Sequence, residues 1–131
     1  MKITPDTNVL VRVLVEDDAE RSKAAQAILK KADVIAISIT ALCELTWVLS
    51  RGYKISAADI AISIRRLINA ANVAANRPVA EAGLALLDAG GDFADGVIAH
   101  EGNWLGADTF VSFDKKAVKL IEAGGGLART P

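Results

Sequence analysis

Short β-prone stretches alternate with amphipathic helical stretches along the whole chain, and this alternation most constrains what the chain can fold into. Residues 2–5 (Lys2 to Pro5) run into Asp6-Thr7-Asn8, after which Val9, Leu10, Val13 and Leu14 recur at helical spacing. Asp17-Asp18 opens a second helix to about Lys31, and residues 34–37 read as a buried strand. Ser38 or Thr40 starts a third helix that carries Leu42, Glu44, Leu45 and Val48 to about Arg51. Ser56 opens a fourth helix with Ile60, Ile64, Leu67 and Ile68 on its apolar stripe, followed by a short strand at residues 73–75. Pro78 suits the first turn of a fifth helix, and Asp92-Phe93-Ala94-Asp95 opens a sixth that runs to about Leu105. Residues 109–113 form a strand, Asp114 leads into a last helix that ends at Gly124-Gly125-Gly126, and residues 127–130 add an edge strand. There is no repeat, linker or low-complexity segment, so the expectation is one α/β domain, residues 1–131, around a short parallel sheet.

Composition agrees with this and removes other classes. Of 131 residues 52% are hydrophobic and 24 are alanine, whereas aromatic residues reach only 5%. Close helix packing is favoured over an all-β core. The longest apolar stretches, residues 34–45 and 79–87, are interrupted by Ser38, Thr40, Glu44 and Glu81 and fall well short of the roughly 20 residues that cross a bilayer. A single cysteine and the absence of a signal-peptide layout point to the cytoplasm. A net charge of −1 excludes a module that binds nucleic acid simply by a basic surface.

Five acids stand out. In a parallel α/β sheet the turns after the strands share one edge, where ligands bind. Asp6 and Asp114 each follow a β-prone segment and precede a helix, so they are expected to approach one another and to need a divalent cation between them. Capping of the following helix is the competing reading for each. Glu44 sits among Leu42, Cys43, Leu45, Trp47, Val48 and Leu49, and is expected to be a largely buried carboxylate with a partner rather than part of an exposed stripe. Asp95 is a metal ligand or a first-turn acid favoured by the helix dipole. Asp92 is a helix cap with a possible secondary metal or water contact. Without these five acids the chain carries +4, the balance of an acidic pocket on a mildly basic body. Arg12, Lys115, Lys116 and Lys119 are candidate phosphate contacts, and Thr7, Asn8 and Ser112 candidate partners of the carboxylates. His100 is expected on the surface, Cys43 in the core, and no phosphate-cradling glycine loop is present.

The ordered set Asp6-Thr7-Asn8, Glu44 with Trp47, Asp95 within Asp92-Phe93-Ala94-Asp95-Gly96-Val97-Ile98-Ala99, and Ser112-Phe113-Asp114 resembles PIN-domain ribonucleases, and more narrowly the VapC toxins of type II toxin–antitoxin systems. The resemblance covers essentially the whole chain. It implies a three-layer α/β/α sandwich with a short parallel sheet, whose acids bind Mg²⁺ or Mn²⁺ and cut RNA. Asp6, Glu44, Asp95 and Asp114 match the family's acidic positions, with Asp92 as an extra. The reaction expected is hydrolysis of a phosphodiester by metal-activated water, leaving 5′-phosphate and 3′-hydroxyl ends. The resemblance also implies a homodimer, for which Trp47, Tyr53 and Trp104 look like apolar surface, and a VapB-like antitoxin laid across the site. Gly96 is an unusual residue at a helix start. The competing classes are a non-catalytic PIN-fold binding module and a small aspartyl phosphatase, the latter disfavoured because Asn8 stands where a second Asp is wanted.

Overall fold

Residues 1–131 are described by a computed structural model in which the chain divides into two compact units, Met1–Asn76 and Arg77–Pro131. The first contains strands β1 (Lys2–Ile3), β2 (Val34–Ala36) and β3 (Val73–Ala74) and helices α1 (Thr7–Leu14), α2 (Ala19–Lys31), α3 (Ile39–Trp47) and α4 (Ala57–Asn69). Its strands are all parallel, in the order β1-β2-β3, with Ile3 opposite Ile35 and Ile35 opposite Val73. Parallel strands need crossover helices, and every strand-to-strand passage of this unit contains at least one. Leu10 of α1, Leu29 of α2, Ile35, Leu42 and Leu45 of α3, and Ile60, Ile64 and Ile68 of α4 are buried and form its core.

Each helix start in this unit is written in the sequence. Asp6, Asp18, Ser38 and Ser56 sit in extended backbone and accept a hydrogen bond from a backbone N–H of the first turn. One end is closed over a long range: the side-chain amide of Asn72 donates to the carbonyls of Leu29 and Ala32, at 3.3 and 3.1 Å, at the end of α2. The third helix is not regular to its end, because α3 passes into a π-helical turn at Val48–Gly52.

The second unit comprises α5 (Arg77–Asp88), α6 (Phe93–Trp104), β4 (Thr109–Val111), α7 (Lys115–Ala123) and β5 (Leu127–Arg129). β4 and β5 pair in parallel, Thr109 with Leu127 through Val111 with Arg129, and α7 is their crossover. The five strands therefore form two sheets, of three and two strands, where one sheet was expected. β4 stops at Val111, two residues short of the expected end, and beyond it the Ser112 hydroxyl accepts the N–H of Asp114, the N-cap of the next helix, at 3.0 Å.

The unusual Gly96 has a packing reason. A Cβ built on it would lie 2.3 Å from the carbonyl oxygen of Ala82 in α5, and one on Gly83 would lie 2.6 Å from the ring of the buried Phe93. The backbones of α5 and α6 thus meet with no side chain between them, and the Phe93 ring fills the neighbouring notch. Gly96→Ala is expected to lose about 1–3 kcal/mol of stability through overpacking. Gly102→Ala, on the same helix with nothing within 4 Å of the added methyl, is expected to gain about 0.5–1 kcal/mol. Denaturant titration of the two variants checks both signs.

Candidate active site

In the first unit the turn after β1 presents Asp6. Its Oδ1 accepts the N–H of Thr7 at 2.7 Å, and its Oδ2 lies 3.4 Å from the side-chain amide of Asn8. Thr7 is buried at 7% exposure, and its hydroxyl donates to Glu44 Oε2 at 2.9 Å. Asp6, Thr7, Asn8, Arg12 and Glu44 line one open pocket of about 320 Å³. Glu44 departs from the expected buried carboxylate. It is exposed, because at 100° per residue Leu42, Leu45 and Leu49 turn to the core and carry Glu44 and Trp47 to the other side. Its expected partner exists nevertheless, as the Thr7 hydroxyl. Arg12 reaches the same pocket but is already ion-paired with Asp17.

In the second unit a carboxylate oxygen from each of Asp92, Asp95 and Asp114 lies within 4.8 Å of the others. Asp92 occupies the N-cap position of α6, but its side chain makes no capping bond, so the expected role as a cap is not filled. Asp95 is half-buried in the first turn of the same helix, and Asp114 is the N-cap of α7, its Oδ1 accepting the N–H groups of Lys116 and Ala117 at 3.0 and 3.1 Å. Both capping bonds fall on one oxygen, which leaves Oδ2 of Asp114 free to bind something else. Partial burial, followed by the charges of Asp92 and Asp114, raises the pKa of Asp95. Three clustered carboxylates with hard oxygen donors and mutual repulsion fit a small divalent cation such as Mg²⁺ or Mn²⁺. Lys115 and Lys116 are exposed beside Asp114, Lys119 is exposed one turn further on, and Ser112 fixes the turn through its hydroxyl.

Residues 3–122 match the PIN domain family. The chain belongs to that family. No curated protein matches it. PIN domains are generally nucleases, often metal-dependent ribonucleases, so the coarse class of this PIN domain is a hydrolase acting on nucleic acid. Its α/β class with parallel strands is the one the alternating pattern indicated. No helix is long and apolar enough to cross a membrane.

The structure thus brings together Asp6, Thr7, Asn8 and Glu44 in one unit and Asp92, Asp95 and Asp114 in the other. The approach of Asp6 to Asp114 links residues of different units and stays an expectation. His100 is half-buried rather than on the surface, and Cys43 and Tyr53 are half-buried too, whereas Trp47 and Trp104 are exposed as expected. Two roles escaped the sequence reading, that of Tyr53 as a wall of the first pocket and that of Asp17, outside the pocket lining, as the partner of Arg12. Asp17 lies beyond the end of α1, where helical spacing gives no signal.

Charge repulsion at the three-Asp cluster opposes folding when no cation is present. Asp95→Asn is therefore expected to melt no lower than the unsubstituted chain in EDTA, despite losing a favourable helix-dipole contact of about 0.3–1 kcal/mol. Added Mg²⁺ or Mn²⁺ is expected to raise the melting temperature of the unsubstituted chain and not that of the variant. Thermal melts with and without metal check this.

Proposed function

We propose that this PIN domain is a Mg²⁺- or Mn²⁺-dependent endoribonuclease, the VapC-type toxin of a toxin–antitoxin pair. On this reading the whole chain, residues 1–131, acts as one functional domain in the cytoplasm, as a homodimer restrained by a VapB-like antitoxin. The observation that carries the proposal is the Asp92, Asp95 and Asp114 cluster, three carboxylates whose oxygens lie within 4.8 Å of one another. The order of acids that resembles the VapC toxins supports the finer assignment.

Asp6, Glu44, Asp95 and Asp114 are assigned to hydrolysis, with Asp92 as a further ligand. A divalent cation held by the Asp92, Asp95 and Asp114 cluster would acidify a bound water and screen the charge that builds on the phosphoryl oxygens. The chain's own groups prepare for this. Asp114 caps α7 with one oxygen and keeps the other available, and the Thr7 hydroxyl holds Oε2 of Glu44 and leaves Oε1 free. The backbone N–H of Thr7 anchors Asp6. Arg12, Lys115 and Lys116 supply positive charge for phosphate, and Thr7, Asn8 and Ser112 orient the carboxylates. No side-chain nucleophile is needed.

Asn caps a helix about as well as Asp, so Asp6→Asn and Asp114→Asn are expected to stay within about 1 kcal/mol of the parent in stability. Losing about 2.7 kcal/mol of transition-state stabilisation slows cleavage about a hundredfold, and each of Asp6→Asn, Asp95→Asn and Asp114→Asn is expected to lose at least that much. If the acids act as a unit, Asp6→Asn combined with Asp95→Asn is little worse than either alone. The test is cleavage of a structured RNA in Mg²⁺ and in EDTA, with thermal melts alongside. Cleavage that survives EDTA, or folded variants that cut at the parental rate, overturns the proposal, and RNA binding with no cleavage favours a binding module. Light scattering at micromolar concentration is expected to give the mass of a dimer.

A further inference from the structure

The segment that follows α3 is costly to maintain and lies at the pocket of Asp6 and Glu44. It leaves the helix through the π-helical turn Val48–Gly52, closed by the N–H of Tyr53 donating to the carbonyl of Val48 at 3.3 Å. The next residue, Lys54, has φ 55°, and no other non-glycine residue of the chain has positive φ. π turns are rare in helices and often stand at functional sites, and a left-handed non-glycine residue persists only where its surroundings impose it. The outcome of this irregular path is the placement of Tyr53. Its half-buried ring forms a wall of the 320 Å³ pocket that also holds Asp6, Asn8, Arg12 and Glu44.

Tyr53 and Arg12 share one anchor. The Tyr53 hydroxyl donates to Oδ2 of Asp17 at 3.3 Å, and the Arg12 guanidinium pairs with Oδ1 of the same carboxylate. A single acid outside the catalytic set therefore holds an aromatic ring and a guanidinium on the wall of one pocket. Asp17 engages one nitrogen of Arg12, and a guanidinium has further N–H donors in a planar fork that suits phosphate. Ring and fork together have the chemistry of a single-stranded nucleotide: an unstacked base offers a π-face to an aromatic side chain, and its phosphate offers oxygens to arginine. Bases of an intact duplex are stacked on one another and have no free face to offer.

We propose that Tyr53 and Arg12, positioned by Asp17, form a nucleotide subsite beside Asp6 and Glu44, Tyr53 stacking on a base and Arg12 holding a phosphate of single-stranded RNA. The proposal rests on the ribonuclease reading above. In it Tyr53 and Arg12 touch substrate, whereas Asp17 acts only through them and is a positioning residue.

The test uses the full chain and a single-stranded RNA hexamer of mixed sequence. Affinity is measured in the Asp95→Asn background, and KM and kcat in the otherwise unsubstituted chain. Base stacking on an aromatic side chain is worth roughly 5- to 150-fold in affinity. Tyr53→Leu, which keeps apolar bulk, is thus expected to weaken hexamer binding about tenfold and raise KM by a similar factor at unchanged kcat. Tyr53→Phe, which keeps the ring and loses only its bond to Asp17, is expected to weaken binding less than Tyr53→Leu. Arg12→Gln is expected to weaken binding and to reduce the slope of log affinity against log salt by about 0.7, the value of one single-strand phosphate contact. Asp17→Asn is expected to raise KM severalfold in the parent, and by less than twofold once Tyr53 and Arg12 are both replaced. Melting curves confirm that each variant is folded.

If Tyr53→Leu binds and cuts the hexamer like the parent while Asp95→Asn abolishes cleavage, the subsite is overturned and the ribonuclease reading stands. If Tyr53→Phe fails as badly as Tyr53→Leu, the stacking role is overturned. If the unsubstituted chain neither binds nor cuts RNA, the ribonuclease reading falls and the subsite with it.

Discussion

Much of the second unit depends on two helix backbones touching where Gly96 of α6 meets Ala82 and Gly83 of α5. No side chain can enter that contact, so the helices have little freedom to slide. The Phe93 ring, buried to 2% exposure against Gly83, fixes the remaining rotation of α6. Asp92 and Asp95 ride on the first turn of this helix, and their position is set by packing that neither residue takes part in. Side chains in such a core sit at close to crystal density, which is why the two carboxylates can be held near Asp114 although all three repel.

The acids at the helix starts reconcile two demands. A helix N-terminus has unsatisfied N–H groups and a partial positive charge, so an Asp there stabilises the fold. Asp114 meets the first demand with one oxygen, and its second remains for other chemistry. Asp95 differs, since it caps nothing and its burial raises the cost of its charge. Glu44 is different again, a carboxylate on an exposed helix face held by the hydroxyl of a buried threonine 37 positions away.

Much of this was legible in the sequence, because local rules decide it. Helix starts follow from Asp6, Asp18, Ser38 and Ser56, and strands from short β-branched stretches, so the elements fall where the pattern places them. The family resemblance rested on the same acids. What escaped depends on contacts that a linear pattern does not encode. The exposure of Glu44 is decided by which neighbours face the core, and an apolar stretch containing a glutamate suits either answer. The division of five strands into two sheets, the pairing of Arg12 with Asp17 and the placing of Tyr53 by a π turn are tertiary facts. Gly96 looked anomalous at a helix start because its reason lies on another helix.

The bonds from Asn72 to the last carbonyls of α2 span 43 and 40 residues. During synthesis α2 emerges early, but the groups that close its end come only after two more helices have been made. Its final turn must wait, hydrated, until the chain returns along β3. The first unit is therefore completed by a late residue rather than built up helix by helix, and a ribosome stalled before Asn72 would hold a segment whose second helix has no end.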